Sequence, residues 1–247
     1  MRIGLLSSYG NPQLPHFIKA LVEKAVTDLV VILDSQQMNA KDLNIWERRT
    51  GGQLELPLES ATSQPPGSDG FIPFYVVPSH NHSMTLELIQ SLEIQCLLNA
   101  GTPRKLNTKL LNATTHGVLN IHPGALPKYR GCSCVEHALL NGDPVANSAH
   151  FMDAGYDTGP VIEIETFDLQ GASSYTDIRV SLYRKGYQLA ARVLKRLSHQ
   201  APLPLTTTPQ NEELAQYWKP ISDQELEALP HHVEAAIQKA QTKATGQ

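Results

Sequence analysis

The sequence predicts an α/β protein with an open, mostly parallel, twisted sheet and helices on both of its faces. Short, continuous apolar runs such as residues 28–33 (DLVVIL) alternate with segments in which apolar residues recur at helical spacing. Glycine, proline and serine follow where the runs stop. Strands that are apolar throughout are typical of parallel sheets covered on both faces. Such sheets bind ligands beyond the carboxyl ends of their strands.

Strands and helices alternate along the first half of the chain. Residues 2–7 predict the first strand, and Phe17, Leu21 and Ala25 then recur at the spacing of a helix over residues 14–26. Residues 44–70 are polar and rich in turn formers, which predicts a variable loop region with one helix around Trp46. The further elements predicted here are strands over 28–33, 71–77, 94–98 and 117–121, a helix over 83–91 capped by Asn81 or Ser83, and a helix over 105–113.

The second half predicts a helix over 134–141, strands over 146–152 and 161–167, and a long amphipathic helix over 175–198. Residues 201–209 are rich in proline and threonine and predict an extended connector. Ser222 and Glu225 have the spacing of a capping box, which predicts a final helix over 222–240. We therefore expect a main domain over residues 1–200 and a C-terminal extension over 201–247 that contains one helix.

Composition narrows the classes of protein. The chain has 247 residues, 41% of them hydrophobic, which is enough for a large core. Its formal net charge of -4 provides no general basic surface for a phosphate backbone, so nucleic acid is not an expected partner. The sequence has no apolar run of membrane-spanning length, and its apolar start is too short for a signal peptide, so we expect a cytoplasmic protein.

Cysteines and histidines give no sign of a bound metal. The chain has three cysteines, too few and odd in number for a disulfide framework. His80 and His82 share a face of a short segment, but no third ligand follows at a suitable spacing. We expect no metal site.

Two segments concentrate polar residues at predicted strand ends. In LNIHPGALPKYRG, residues 119–131, Asn120 and His122 end an apolar run and point to the same face of an extended chain. They either act together in chemistry or satisfy the backbone of a tight turn. In MDAGYDTGPVI, residues 152–162, Asp153 and Asp157 flank Gly155 in what reads as a loop between two strands.

These two segments, in this order and separated by a helix and ALLNGDPVANSAHFM, resemble the catalytic half of the folate-dependent formyltransferases. That family includes glycinamide ribonucleotide transformylase, methionyl-tRNA formyltransferase and the sugar N-formyltransferases. The resemblance implies a Rossmann-like catalytic domain over residues 1–200 and a formyltransferase activity. It also implies that Asn120, His122 and Asp157 are the catalytic residues.

The chemistry of formyl transfer suits these residue types. Transfer from N10-formyltetrahydrofolate to an amine passes through a tetrahedral intermediate whose oxyanion needs hydrogen-bond donors. We expect the Asn120 amide and a protonated His122 to be those donors. We expect Asp157 to raise the pKa of His122 and to relay protons through a water molecule. This reaction needs neither a metal nor a covalent nucleophile.

The resemblance also implies that residues 99–106 (NAGTPRKL) and 153–157 line the pterin pocket, largely through backbone. The cofactor-binding candidates are therefore Arg104, Lys105, Leu106, Asp153, Ala154, Gly155 and Tyr156. It makes Leu126–Pro127 a candidate cis peptide.

Several other polar and aromatic residues have simpler interpretations. Lys128 and Arg130 are either solvated loop charges or contacts for the folate tail or an anionic substrate. His137 and His150 are expected to be packing residues, and the cluster Tyr217-Trp218-Lys219 is expected to dock a helix.

The acceptor is expected to be an amine on a small molecule. Pro12 and Pro15 remove backbone donors from the loop after the first strand, and the phosphate-binding G-x-G-S-N pattern is absent from it, which argues against glycinamide ribonucleotide. The few residues after Pro209 and the acidic balance argue against tRNA. An amino sugar, nucleotide-linked in the simplest case, is the first expectation.

Other functions stay open. They are formylation of an amino-acid or peptidyl amine in a natural-product pathway, glycinamide ribonucleotide transformylase activity and, from another class, an inactive folate-binding homologue. The final helix is a candidate contact surface for a homodimer.

Overall fold

The computed structural model describes residues 1–62, 71–199 and 205–245. The elements, in chain order, are β1 (Ile3–Tyr9), α1 (Leu14–Glu23), β2 (Leu29–Gln37), α2 (Ala40–Thr50), α3 (Leu58–Thr62), β3 (Phe74–Val77), α4 (Ser83–Ser91), β4 (Cys96–Asn99), α5 (Thr108–Leu111), β5 (Val118–His122), β6 (Arg130–Gly131), α6 (Cys134–Leu140), β7 (Ala146–Phe151), β8 (Val161–Thr166), α7 (Tyr175–His199), a 3-10 helix (Glu212–Leu214), β9 (Tyr217–Trp218) and α8 (Asp223–Thr245).

Within these residues the main sheet has seven strands in the order β3-β2-β1-β4-β5-β7-β8. The strands from β3 to β5 pair in parallel, whereas β7 is antiparallel to both β5 and β8. The predicted fold class is confirmed. The chain moves outward from β1 to β3 and then returns to place β4 beside β1, so the carboxyl ends of β1, β4 and β5 open a crevice suited to a ligand.

Helices cover both faces of this sheet, as the apolar strands require. On one face, Leu21 of α1 and Leu194 of α7 pack in one cluster with Leu5 of β1. On the other face, Ile89 of α4 packs in a cluster with Leu6. A further cluster joins α6 to α8. Strand β5, which ends at Asn120 and His122, is covered from both sides, with Leu119 in the first cluster and Val118 in the second.

Helix α4 spans the predicted residues, but its cap differs from the prediction. Asn81 and Ser83 were the expected caps, whereas the cap is His82, whose Nδ1 accepts a hydrogen bond from the Met84 amide at 3.2 Å. The Asn81 side chain bonds instead to the backbone of Lys105 and Asn107. That contact holds residues 105–107 outside a helix, so α5 begins only at Thr108.

The predicted helix around Trp46 is α2, and a second short helix, α3, follows it in the region expected to be loop. The rest of that region, residues 63–70, lies outside the described residues. Residues 201–204 of the predicted connector also lie outside them.

The C-terminal extension packs against the main domain through contacts that sequence patterns did not predict. Its strand β9 pairs in parallel with β6. Trp218 stacks on His137 of α6, with ring centroids 4.5 Å apart, and on Tyr129. The predicted capping box of α8 is present, with reciprocal hydrogen bonds between Ser222 and Glu225. The aromatic cluster thus docks against a helix through Trp218, as expected.

In the described part of the chain, no helix combines the length and apolar character needed to cross a bilayer.

Candidate active site

Asn120, His122 and Asp157 converge at the carboxyl end of β5, and His150 joins them. Asn120 lies opposite His150 in the antiparallel register of β5 and β7, and Asp157 comes from the loop between β7 and β8. His122 Nδ1 is 3.4 Å from Asp157 Oδ2, and His150 Nε2 is 3.7 Å from Asp157 Oδ1. His150 is a buried residue of strand β7, as expected, and its contacts with Asn120 and Asp157 are a feature that sequence patterns did not predict. The signal that could have found it is its strand position, three residues before the Asp153–Asp157 loop.

A directional chain of hydrogen bonds orients the Asn120 amide. The backbone amides of Gly101 and Thr102 donate to Asn99 Oδ1 at 3.2 and 3.0 Å. Asn99 must therefore turn its NH₂ group toward Asn120, and it donates to Asn120 Oδ1 at 2.9 Å. Asn120 Nδ2 then points to His150 Nε2 at 3.0 Å, and His150 Nδ1 contacts the Phe151 carbonyl. One of the two Asn120 N–H groups remains for an oxyanion.

His122 lies between two acceptors. Its Nε2 is 2.6 Å from the Tyr129 carbonyl oxygen, and its Nδ1 faces the Asp157 carboxylate. Burial lowers the pKa of His122 below its ordinary value, and the nearby Asp157 carboxylate offsets this only in part. Both ring nitrogens therefore face acceptors, so a protonated His122 could donate on both sides, while burial favours the uncharged ring. A proton gained by this ring would be stabilised by both acceptors.

Asp157 is held as an anion. Burial alone would raise the pKa of its carboxyl, but the neighbouring His150 and His122 rings and the Gly131 amide, which donates to Oδ2 at 2.9 Å, bring that pKa below its usual range. Asp157 has a φ of 57°, in the left-handed region that a non-glycine residue occupies only with support from its surroundings. The carboxylate is therefore aimed at the two histidines by a constrained backbone.

Arg104, a predicted cofactor-binding residue, is committed to another partner. Its guanidinium makes two hydrogen bonds of 2.7 Å to the buried Asp34 carboxylate. Asp34 also accepts the backbone N–H of His80, whose ring bonds to Ile32 and Thr102. The side chain of Arg104 is thus an anchor for the loop after β4. His80 is part of the same anchor, and the described residues hold no cluster of three metal-ligating side chains.

The two segments expected to line the pterin pocket do meet. Lys105 Nζ lies 4.5 Å from the centre of the Tyr156 ring, which joins the first segment to the second. Leu106 is buried in the cluster beneath α4 and contributes packing. Asp153 accepts hydrogen bonds from the Gly155 amide and the Thr158 hydroxyl, so it shapes the loop. Ala154, Gly155 and Tyr156 are exposed.

Basic side chains of the first motif are paired with carboxylates. Lys128 lies 2.5 Å from Asp143, and Arg130, nearly buried, makes a bidentate ion pair with Glu212. Lys128 remains largely solvated, as one alternative expected, whereas Arg130 is buried and its ion pair ties the motif to the C-terminal part of the chain. The Leu126–Pro127 peptide bond is cis, as predicted.

Comparison with known proteins agrees with this geometry. Residues 1–194 match the family described as formyl transferase. Methionyl-tRNA formyltransferases from Nitratiruptor sp. and from a Wolbachia strain of Drosophila simulans are 35% and 32% identical over 108 and 124 residues. Those matches cover 43% and 50% of this chain, and they span less than half the length of the relatives, at 34% and 40%.

Solved structures share the fold. Glycinamide ribonucleotide transformylase 1 from Symbiobacterium toebii superimposes with a TM-score of 0.57 at 20% identity, covering 85% of this chain and 94% of that one. A 4-N formyltransferase from Francisella tularensis gives a TM-score of 0.58 at 16% identity, covering 89% of this chain and 76% of that one.

Sheet order and site together define an α/β domain of the formyltransferase type. The chain belongs to the formyl transferase family, and the family indicated by its two sequence motifs is confirmed.

Proposed function

We propose that this protein transfers a formyl group from N10-formyltetrahydrofolate to an amine. The observation that carries the proposal is the convergence of the Asn120 amide, the His122 imidazole and the Asp157 carboxylate at one strand end of a formyl transferase family member. An amide donor, a neutral base and a fixed anion are what this transfer requires.

Each side chain has a distinct task in this reaction. When the amine nitrogen bonds to the formyl carbon, the carbonyl electron pair moves to oxygen, and the free Asn120 N–H donates to that oxyanion. The His122–Asp157 pair takes the proton that the amine loses, directly or through one water molecule. The same pair returns a proton to N10 as its bond to the formyl carbon breaks. The products are a formamide and tetrahydrofolate, and no covalent enzyme intermediate forms.

The folate would be held along the two segments that meet at Lys105 and Tyr156. The exposed backbone of residues 154–156 offers hydrogen-bonding groups, and the half-exposed Tyr156 ring offers an aromatic face. These residues and the backbone of Arg104 are our candidates for cofactor binding.

For the acceptor we propose a small-molecule amine, with an amino sugar as its class. Three basic side chains near the site form ion pairs, and this supports a small acceptor rather than RNA. Arg104, Lys128 and Arg130 are each neutralised by a carboxylate within 2.7 Å, and the net charge of the chain is -4. Binding to a nucleic-acid backbone depends on unpaired cations.

A second candidate acceptor is a charged initiator tRNA. It is favoured by the curated relatives, which are methionyl-tRNA formyltransferases at 32–35% identity over the matched parts.

The test is to incubate the protein with 10-formyltetrahydrofolate and a panel of amines while following tetrahydrofolate release. The panel holds dTDP- and UDP-amino sugars, amino acids, glycinamide ribonucleotide and methionyl-tRNA, and mass spectrometry identifies the formylated product. We expect release with an amino sugar, and its loss in Asn120→Ala. Folate binding without any formylated product would instead identify an inactive homologue.

A further inference from the structure

The C-terminal segment, defined here as residues 208–218, lies against both loops that form the site. At one end, Thr208 pairs with Val161 through two backbone hydrogen bonds of 2.8 and 2.9 Å. At the other end, β9 pairs with β6, whose Gly131 amide holds the Asp157 carboxylate. The segment thus spans from the loop that carries Asp157 to the loop that follows His122.

Gln210 is the side chain of this segment that reaches the Asp157 loop. Its Nε2 donates to the carbonyl oxygens of Asp157 at 2.8 Å and Gly159 at 2.6 Å. Its Oε1 accepts from Arg130 Nε at 3.0 Å, and a guanidinium can only donate, so the orientation of the amide is settled. Arg130 is itself fixed by its bidentate pair with Glu212. Both amide hydrogens of Gln210 are therefore committed to the loop.

Asp157 needs such support. The φ of Asp157 is 57°, a left-handed backbone that is disfavoured for residues other than glycine, although aspartate adopts it more readily than most. The two bonds from Gln210 fall on the carbonyl of Asp157 and on the carbonyl two residues later, where they lock the turn. The distance of 3.4 Å between Asp157 and His122 then follows from the backbone position of the loop.

We infer that the C-terminal segment is part of the active site and that Gln210 is a positioning residue, which holds Asp157 against His122. This inference rests on the proposed formyl transfer for its kinetic consequence but not for its geometric one. It also alters the expected division into a main domain over residues 1–200 and an extension over 201–247. A boundary at residue 200 would separate Gln210 from the Asp157 loop to which it bonds.

The kinetic test replaces Gln210 by methionine, which keeps the length of the side chain and removes its hydrogen bonds. We expect kcat for formyl transfer to fall by about 10-fold to 100-fold, with KM for both substrates within about 3-fold, because the reacting groups are misaligned rather than lost. Gln210→Glu keeps the contact with Arg130 but has no N–H to donate, and it gives the same fall in kcat. Gln188→Met is the matched control, since Gln188 of α7 lies outside the segment, is exposed and makes no side-chain hydrogen bond within the described residues. It leaves kcat unchanged.

The second measurement needs no substrate. An NMR titration follows the His122 imidazole, assigned by comparison with His122→Asn, in the free protein. His122 faces the Asp157 carboxylate and the His150 ring, and Asp157 raises the pKa of His122. Gln210 carries no charge, so Gln210→Met can change that pKa only by moving Asp157. We expect a downward shift of the His122 pKa in Gln210→Met, in the same direction as in Asp157→Asn, and none in Gln188→Met.

The two measurements separate the two hypotheses. An unshifted His122 together with wild-type kcat in a folded Gln210→Met protein overturns the positioning role. A wild-type protein without formyl transfer overturns the proposed function, while the titration still decides whether Gln210 positions Asp157.

Discussion

The Asn99 side chain donates to Asn120 Oδ1 at 2.9 Å, and this contact decides which end of the Asn120 amide faces the site. Asn99 is itself oriented by two backbone amides of its own loop. The donor expected to stabilise the oxyanion is thus set by a residue on the neighbouring strand, β4.

Replacing Asn99 by aspartate should remove that control with almost no change in shape. The carboxylate still accepts from the loop amides, but it cannot donate to Asn120, whose amide is then free to rotate. We expect kcat to fall by about 10-fold to 100-fold, the effect of losing or misplacing one oxyanion donor. Steady-state kinetics would measure it, with the exposed Asn44→Asp as the control. A wild-type kcat in Asn99→Asp would show that Asn120 does not depend on this contact.

Asp157→Asn should change the pH dependence as well as the rate. Burial lowers the pKa of His122 and Asp157 raises it, so removal of the carboxylate lowers that pKa further. Because His122 must be unprotonated to act as the base, the acid limb of kcat/KM should move to lower pH. The maximal rate should fall by about 100-fold. A limb that moves to higher pH, or does not move, would contradict the assignment of His122 as the base.

Gly124→Ala should displace His122 without straining the backbone of residue 124. A Cβ on Gly124 would lie 2.7 Å from both His122 Nε2 and the Tyr129 carbonyl oxygen, between the two atoms that bond at 2.6 Å. We expect a loss of kcat of about 10-fold or more, since the base is moved from its position. Gly171→Ala is a suitable control, because its Cβ would meet no atom within 4 Å.

Glu136 should make folding stability depend on pH. Burial alone would raise its pKa, but Arg179 and Arg49, with a hydrogen bond from Tyr175, hold that pKa at about 2, against an ordinary value of 4.5. This pair of values gives a contribution of about 3 kcal/mol to the free energy of unfolding. It is fully present above pH 4.5 and is lost as the pH falls toward 2.

Urea unfolding from pH 7 to pH 3 would measure this effect by comparing wild type with Glu136→Gln. We expect the variant to be less stable at pH 7, since it leaves two buried or half-buried arginines without their carboxylate. The difference in the free energy of unfolding between wild type and Glu136→Gln should decrease toward pH 3. The exposed Glu213→Gln serves as control, and a gap that stays constant with pH would contradict the linkage.

Most helices and strands could be predicted from the sequence, because each depends on a pattern among residues only a few positions apart. The apolar runs of β1, β2 and β4 and the helical spacing of α7 follow from burial of neighbouring side chains, whatever the partner. The shared face of Asn120 and His122 follows from strand geometry in the same way. Strand β9 escaped prediction, since a two-residue strand carries no periodicity and exists only through its partner β6.

The sequence by itself determined the α/β class, the position of Asn120 and His122 at a strand end and, through a resemblance, the family of this protein. Only the tertiary structure decided that His150 joins them, that His122 lies beside Asp157, that Arg104 is bound to Asp34 and that Gln210 bonds to the Asp157 loop. Local patterns arise from residues a few positions apart. These four outcomes depend instead on burial and on contacts between segments 30 to 70 residues apart in the chain, which folding alone brings together.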